Sequence, residues 1–400
     1  MGTTAIVAAT ALSAMAVYVF EVFAGRTLGA DGFAPVGVIW TVGFLGFTVL
    51  LIPVEQLITR QLVLADGDHR HLGSTLRAVA LVGVGVVAGT IVFVALTVDR
   101  FFGGVTAFVL VAGILAVDRT VVAVVRGFLA GRRRFHAYAA AIALEAVALV
   151  ALGAGAALVA PTAVGFAVAM AMAPLASLAT MPFRRADRST DAAGILQVGA
   201  AGFLGWFVVA NAGSQFVLAG GPIVVGLLGG GAAAISVYFI TFTLFRGPMT
   251  SSYNLLARVL PDFTELVRSG ADARLDRWAV LLGAGGGVLG IVFAGSAAML
   301  GPWVVEVLYG AEFAPTRLVA ALGAAGVGAG LAGLFTTQIF VARGTTRRLA
   351  LAWGLALAAA GVALAVVGAE PIVRVAVAFA VGEGTALVAL TGLALIGVSR

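Results

Sequence analysis

The sequence contains no cysteine. Disulfides, thiolate catalysis and cysteine-ligated metals are therefore excluded. It contains no lysine either: all 24 basic residues are arginine. A Walker-type phosphate loop needs a lysine to reach the phosphates, so ATP-driven transport by this chain alone is disfavoured. The runs Gly229-Gly230-Gly231 and Gly285-Gly286-Gly287 lie inside apolar stretches, not after a strand, and do not read as nucleotide loops. Histidine is scarce too, with His69, His71 and His136 only. His69 and His71 stand two apart beside Asp66 and Asp68, which reads as a solvated loop. No metal site and no cofactor are expected. Charge itself is sparse at 10% of residues, against about a quarter in soluble domains. So few polar groups cannot cover a water-soluble surface, which excludes a soluble enzyme, a disordered tail and a nucleic-acid binder. The net charge of +6 needs another explanation.

What the sequence has in quantity is apolar length. Of its 400 residues, 62% are hydrophobic and the mean hydropathy is +1.12. A bilayer core takes about 20 helical residues per crossing. Apolar runs separated by charge and by Gly or Pro predict twelve spans, near 3–24, 33–55, 76–98, 104–126, 136–159, 162–183, 193–217, 222–245, 278–300, 315–342, 349–368 and 374–397. The division between the seventh and eighth rests on Ala219-Gly220-Gly221-Pro222 alone. The uncharged start, Met1-Gly2-Thr3-Thr4, lacks the basic region of a signal peptide, so the first run is expected to be a true span.

The arginines test this count. With the N-terminus inside, 19 fall in inner loops or at the C-terminus, 4 outside, and Arg119 within a span. That bias follows the positive-inside rule. It predicts a multi-pass protein of the cell membrane with both termini cytoplasmic. Outer loops are short, the longest near 301–314, and the longest inner loop is near 246–277. Within that inner loop, Leu255-Leu256-Ala257-Arg258-Val259-Leu260 before Pro261 reads either as a helix lying at the interface or as a simple linker.

The two halves echo each other. Pro53, then Leu57-Ile58-Thr59-Arg60, then Arg77 entering span 3, parallels Pro248, Leu255-Leu256-Ala257-Arg258 and Arg277 entering span 9. Arg126-Gly127 before Arg132-Arg133-Arg134 parallels Arg343-Gly344 before Arg347-Arg348. Six spans per half give both halves one orientation, so a pseudo-twofold along the membrane normal would relate them. The fold class expected is an all-α polytopic membrane protein of about twelve transmembrane helices. Its two six-helix bundles would be residues 1–190 and 191–400.

Charges within the spans are the candidates for chemistry, because each is costly in hydrocarbon and usually faces the bundle interior. They are Glu21, Asp118, Arg119, Glu145 and Glu383, with Arg26, Glu55, Arg126 and Arg246 near span ends. Spans 4 and 5 form a hairpin, so Arg119 and Glu145 are placed to pair. Asp118, pointing elsewhere on the helix, needs its own partner or a proton. Two readings stay open: an ion pair that only fixes packing, or coupling and substrate groups in a cavity. Glu21, Asp118, Glu145 and Glu383 are the ion-coupling candidates. Arg119 and Arg126, seven apart on one face, would suit a pyrophosphate, since a guanidinium donates two hydrogen bonds in one plane; alternatively Arg126 only anchors the inner end of span 4. Gly382 and Gly384 flank Glu383 and would allow close helix approach. Asn211, Gln215 and Gln338 would hydrogen-bond sugar hydroxyls, or else bond across helices. Phe203, Trp206 and Phe207 form an aromatic patch suited to sugar stacking or to lipid-facing packing.

Four segments, in order along the chain, resemble one family. Ala24-Gly25-Arg26-Thr27-Leu28-Gly29-Ala30-Asp31-Gly32-Phe33 looks like the span 1–2 junction of polysaccharide and oligosaccharide flippases of the MOP superfamily, which also holds the MATE drug exporters. Val125-Arg126-Gly127-Phe128-Leu129-Ala130-Gly131 with Arg134-Phe135 is similar to that family's span 4–5 turn. Arg258-Val259-Leu260-Pro261 is similar to its inner segment after span 8, and Val307-Leu308-Tyr309-Gly310-Ala311-Glu312-Phe313 to its span 9–10 turn. The resemblance implies two bundles around a central cavity and a transporter, not an enzyme. It would flip a polyprenyl-linked glycan from the cytoplasmic to the outer leaflet by alternating access. It adds Arg26 to the substrate-binding candidates, with Arg119, Arg126, Asn211, Gln215 and Gln338. The partners implied are the polyprenyl-linked substrate, membrane lipids, and a glycan polymerase or glycosyltransferase. The alternatives are a MATE-like or major-facilitator small-molecule exporter, or a polytopic glycan polymerase or glycosyltransferase. The first would be an exporter of another class, although Ala65-Asp66-Gly67-Asp68-His69-Arg70 fits the major-facilitator loop pattern poorly. The second would be expected to carry larger outer loops.

Overall fold

The structure is a computed structural model of the chain, describing residues 2–64, 73–181 and 198–396. His69, His71 and the terminal Arg400 lie outside the described residues. Among these residues every element is helical. Hydrocarbon offers no partner to a backbone N–H or C=O, so each span must close its hydrogen bonds internally.

The helices are α1 (Gly2–Gly46), a π-helical turn (Phe47–Leu51), α2 (Ile52–Leu64), α3 (Gly73–Leu96), α4 (Val98–Phe102), α5 (Ala107–Gly131), α6 (Phe135–Val159) and α7 (Ala163–Met172), which tightens into a 3-10 segment (Ala173–Thr180). After them come α8 (Val198–Ala219), α9 (Gly221–Leu227), α10 (Ala232–Phe245), α11 (Gly247–Arg268), α12 (Asp272–Tyr309), α13 (Arg317–Arg343), α14 (Thr346–Val366) and α15 (Pro371–Leu395). The chain forms two compact units, Met1–Leu196 and Gln197–Arg400.

Nine helical runs among the described residues are long and apolar enough to cross a membrane. The first, Thr4–Thr59, holds two crossings: its 56 residues would extend about 84 Å at 1.5 Å per residue. The break is Gly29, at φ 70° and ψ 173°, a conformation that only glycine adopts without strain. Val208–Ala219 and Gly221–Leu227, bent by 66°, supply another crossing, and Ala232–Phe245 the last. The twelve-span reading therefore stands, with three corrections to its boundaries. The eighth crossing begins at Ala232, because Gly221–Leu227 is a short bent helix ending in a turn with Gly229 at φ 92°. The expected inner loop 246–277 is nearly all helix: α11 runs to Arg268 and α12 starts at Asp272. The expected outer loop 301–314 is reduced to the turn between α12 and α13, since α12 continues through Pro302 to Tyr309.

Unit 1 has a core in which Leu51, Val54, Ile58 and Leu62 pack against Val79, Val86, Ala116 and Ala123. Their spacing of three and four residues is the stripe of a helix buried along one side. In unit 2 the buried face of α12 is mostly small, with Ala279, Gly286, Gly290, Ala297 and Gly301. It lies along α13, which buries Gly323, Ala324, Gly328 and Ala332. Small residues let helix backbones approach where lipid removes the hydrophobic drive to associate. Buried hydroxyls are satisfied locally: Thr41 donates to the Gly37 carbonyl at 2.8 Å and Thr336 to that of Ala332 at 2.9 Å.

Candidate functional site

Helix α5 organises the polar interior of unit 1. Arg119 and Arg126 are seven residues apart on it, two turns along one face. On α6, Tyr138 and Glu145 are also seven apart. Glu145 sits between the arginines and takes one from each side. Arg119 Nη1 donates to its Oε1 at 2.6 Å, and Arg126 Nη2 donates to its Oε2 at 2.6 Å. The three side chains are only 19%, 13% and 12% exposed for Arg119, Arg126 and Glu145. The Phe47 ring closes the cluster, with the guanidinium carbons of Arg119 and Arg126 at 5.7 Å and 5.9 Å from its centroid. That is within range for attraction between a cation and a ring face. Beneath it, the Tyr138 hydroxyl donates to Glu55 Oε1 at 2.7 Å.

Charge-assisted hydrogen bonds of this length are strong and directional. One carboxylate shared by two guanidinium groups leaves the staple with a net positive charge, and Arg126 Nε is buried without a hydrogen-bond partner. A tetrahedral anion offers more oxygens than a carboxylate and would engage both arginines at once. Four segments hold this arrangement: the π turn, α2, α5 and α6.

The pairing of Arg119 with Glu145 is as expected from a hairpin. The place of Arg126 is not. Helix α5 runs five residues beyond it to Gly131, so Arg126 stands inside the helix and is neither a loop anchor nor a free cationic stripe. Glu145 is committed to two arginines. Asp118 is buried, 2% exposed, on another side of α5, and neither of its oxygens has a hydrogen-bond partner. Glu21 is buried in α1, and Arg26 is exposed three residues before the Gly29 break. Phe47 and Tyr138 were not among the residues singled out by sequence. The seven-residue interval from Tyr138 to Glu145 was a usable signal; Phe47 carries none, because its orientation comes from the π turn.

The other candidates belong to unit 2. Asn211 is half-buried and Gln215 is buried, one turn apart on α8, and Gln338 is buried on α13. Glu383 is buried on α15 against α13: a Cβ at Gly330 would fall 2.7 Å from its Oε2. The flanking glycines differ from expectation, since Gly382 faces Val217 and Ala360 closely while Gly384 borders open space. Trp206 is exposed; the side chains of Phe203 and Phe207 lie outside those described. No cluster of metal-ligating side chains occurs among the described residues.

The chain is 30% identical over 390 residues to an uncharacterized protein of Mycobacterium bovis, with 89% of this chain and 83% of that protein covered. Uncharacterized proteins of Mycobacterium tuberculosis match it to the same extent. No family model matches it. Among solved structures, the inward-facing conformation of a multidrug resistance MATE family transporter of the MOP superfamily superposes with a TM-score of 0.70 at 12% identity, covering 94% of this chain and 92% of that one. A Vibrio cholerae MATE transporter gives 0.61 at 13% identity over 98% and 95%. The outward-facing conformation of a multidrug resistance MATE family transporter gives 0.56 at 13% over the same shares. The fold is that of the MATE transporters.

Proposed function

The chain belongs to one family with these mycobacterial proteins, and from that footing we propose that it is a flippase carrying a polyprenyl-linked oligosaccharide from the cytoplasmic to the outer leaflet by alternating access. The observation that carries this reading is the Arg119–Glu145–Arg126 staple. Two planar donors held side by side in the wall of a transporter fold suit a pyrophosphate, the one feature every such substrate presents. In the loaded state phosphate oxygens take over donors that now serve Glu145. Phe47 keeps both guanidinium groups in place during the exchange.

Two further assignments complete the proposal. Asn211 and Gln215, one turn apart on α8, are the groups assigned to sugar hydroxyls, with Arg26 as a cation at the rim. Glu383 is the carboxyl assigned to coupling, because it is buried in a niche cut by Gly330 and is not stapled by arginine as Glu145 is.

The test is a deletion strain complemented with wild-type chain or Arg126→Lys. The lysine keeps a charge against Glu145 but loses the planar fork. The deletion is expected to trap complete lipid-linked glycan on the inner leaflet. The lysine variant, at normal abundance in the membrane, is expected to lower the surface glycan about tenfold, the equivalent of one strong hydrogen bond of roughly 1.4 kcal/mol. Multidrug export is the activity named for the solved neighbours. Unchanged glycan together with new sensitivity to cationic drugs would replace the flippase reading with that one.

A further inference from the structure

Helix α5 has a second functional face, turned away from the arginines. Leu110, Ile114, Val117, Asp118 and Val121 recur on it at helical spacing and line a slot of about 840 Å³. Ile91 of α3 and Leu178 of the 3-10 segment close its sides. Its length on α5, from Thr106 to Val121, is about 22 Å at 1.5 Å per residue. The rim is exposed, Leu110 by 69% and Val117 by 50%, and it lies within a span, so the slot opens at membrane depth. Asp118 is its one titratable group.

That carboxyl has no hydrogen-bond partner for either oxygen. The cation next to it in sequence, Arg119, points to the other side of the helix and is taken by Glu145. An ionised carboxylate among aliphatic side chains is costly unless a counter-charge accompanies it. A purely hydrocarbon occupant supplies none, and an anion would be repelled. A cation with an apolar body satisfies both halves of the site: its charge pairs with Asp118 and its body fills the slot. A transmembrane helix is a poorer fit. With side chains it is about 10–12 Å across, whereas about 840 Å³ spread over about 22 Å leaves a channel of about 38 Å² in section.

We infer that the α3–α5 slot is a binding site for a lipophilic ammonium or phosphonium ion, entering from the hydrocarbon and held by Asp118. Such a ligand is a co-resident of the membrane and not cargo. The anionic substrate proposed above is handled on the opposite face of the helix, so this inference does not depend on that proposal.

The experiment uses the full-length chain in lipid nanodiscs and two probes of nearly one shape and opposite charge, tetraphenylphosphonium and tetraphenylborate. Wild type is expected to bind tetraphenylphosphonium saturably, one per chain, and tetraphenylborate only as empty nanodiscs do. Asp118→Asn should weaken phosphonium binding at least tenfold with no loss of thermal stability. Val117→Trp, which fills the slot and spares the carboxyl, should abolish it. Phosphonium binding indifferent to both variants overturns the inference, as does equal retention of the borate. Co-purification of a single-span protein lost in Asp118→Asn, with phosphonium unaffected, assigns the slot to a partner helix instead. Asp118-dependent export of the phosphonium from proteoliposomes overturns its status as a resident ligand.

Discussion

Glu145 in unit 1 and Glu383 in unit 2 are both buried carboxyls near the middle of a transmembrane helix, and the protein accommodates them in different ways. Glu145 is held by charge: two guanidinium groups and a ring surround it. Glu383 is held by space: Gly330 on the facing helix leaves the volume its Oε2 occupies, and the Met249 methyl lies 3.3 Å from the Cβ that alanine would place there. The first arrangement is rigid, because removing any member leaves a buried charge unbalanced. The second leaves the carboxyl's protonation to its surroundings, which is what a coupling group needs. A transporter requires both kinds, one to hold its walls and one to change state.

The sharpest way to break this contrast is Glu145→Ala. It leaves Arg119 and Arg126 buried together with no anion between them. Breaking a buried pair costs about 3–5 kcal/mol. We expect a large fall in the unfolding midpoint in detergent and the loss of transport. Glu145→Ala with Arg126→Met should recover part of the stability and none of the transport. If Glu145→Ala unfolds like wild type, the staple contributes no more than a surface pair.

Next in size is Gly330→Ala. The new Cβ falls 2.7 Å from Glu383 Oε2 and 3.1 Å from its Cδ, so the carboxyl must move. Overpacking of this kind costs about 1–3 kcal/mol. The double variant Gly330→Ala, Glu383→Ala should lose most of that penalty, because the added methyl then enters volume the carboxyl has vacated. Additive penalties would show that Gly330 does not shape the niche.

The contrast also explains what could be read before the structure. Twelve spans were legible because each is an apolar run that hydrocarbon requires, and Arg119 with Glu145 because two adjacent spans must form a hairpin. Hydropathy failed at helix ends. Arg126, Arg258 and Arg268 are polar positions on helices that continue past the apolar run, so α5 and α11 were read as stopping short. It also failed at Pro302, which α12 passes through. Glu383 was visible as a charge, yet its niche is made by Gly330, about fifty residues earlier, and the glycines beside it gave only half the answer. A charged partner leaves a trace in sequence; a space left by a distant glycine leaves almost none.

Phe47 is the least legible part of the cluster and the subject of the smallest expected effect. The π turn Phe47–Leu51 admits an extra residue into the helix, which rotates everything that follows and aims the ring at the arginines. Phe47→Leu keeps an apolar side chain and removes the ring face, for about 0.5–1 kcal/mol at this partly buried site. Phe47→Trp should retain or exceed wild-type stability. The decisive comparison is the same substitution in the Glu145→Ala background. There the ring is the remaining favourable contact for two unbalanced cations, so the cost of Phe47→Leu should rise above its wild-type value. Equal costs in both backgrounds would separate Phe47 from the electrostatics of the staple and leave it as packing for α5 alone.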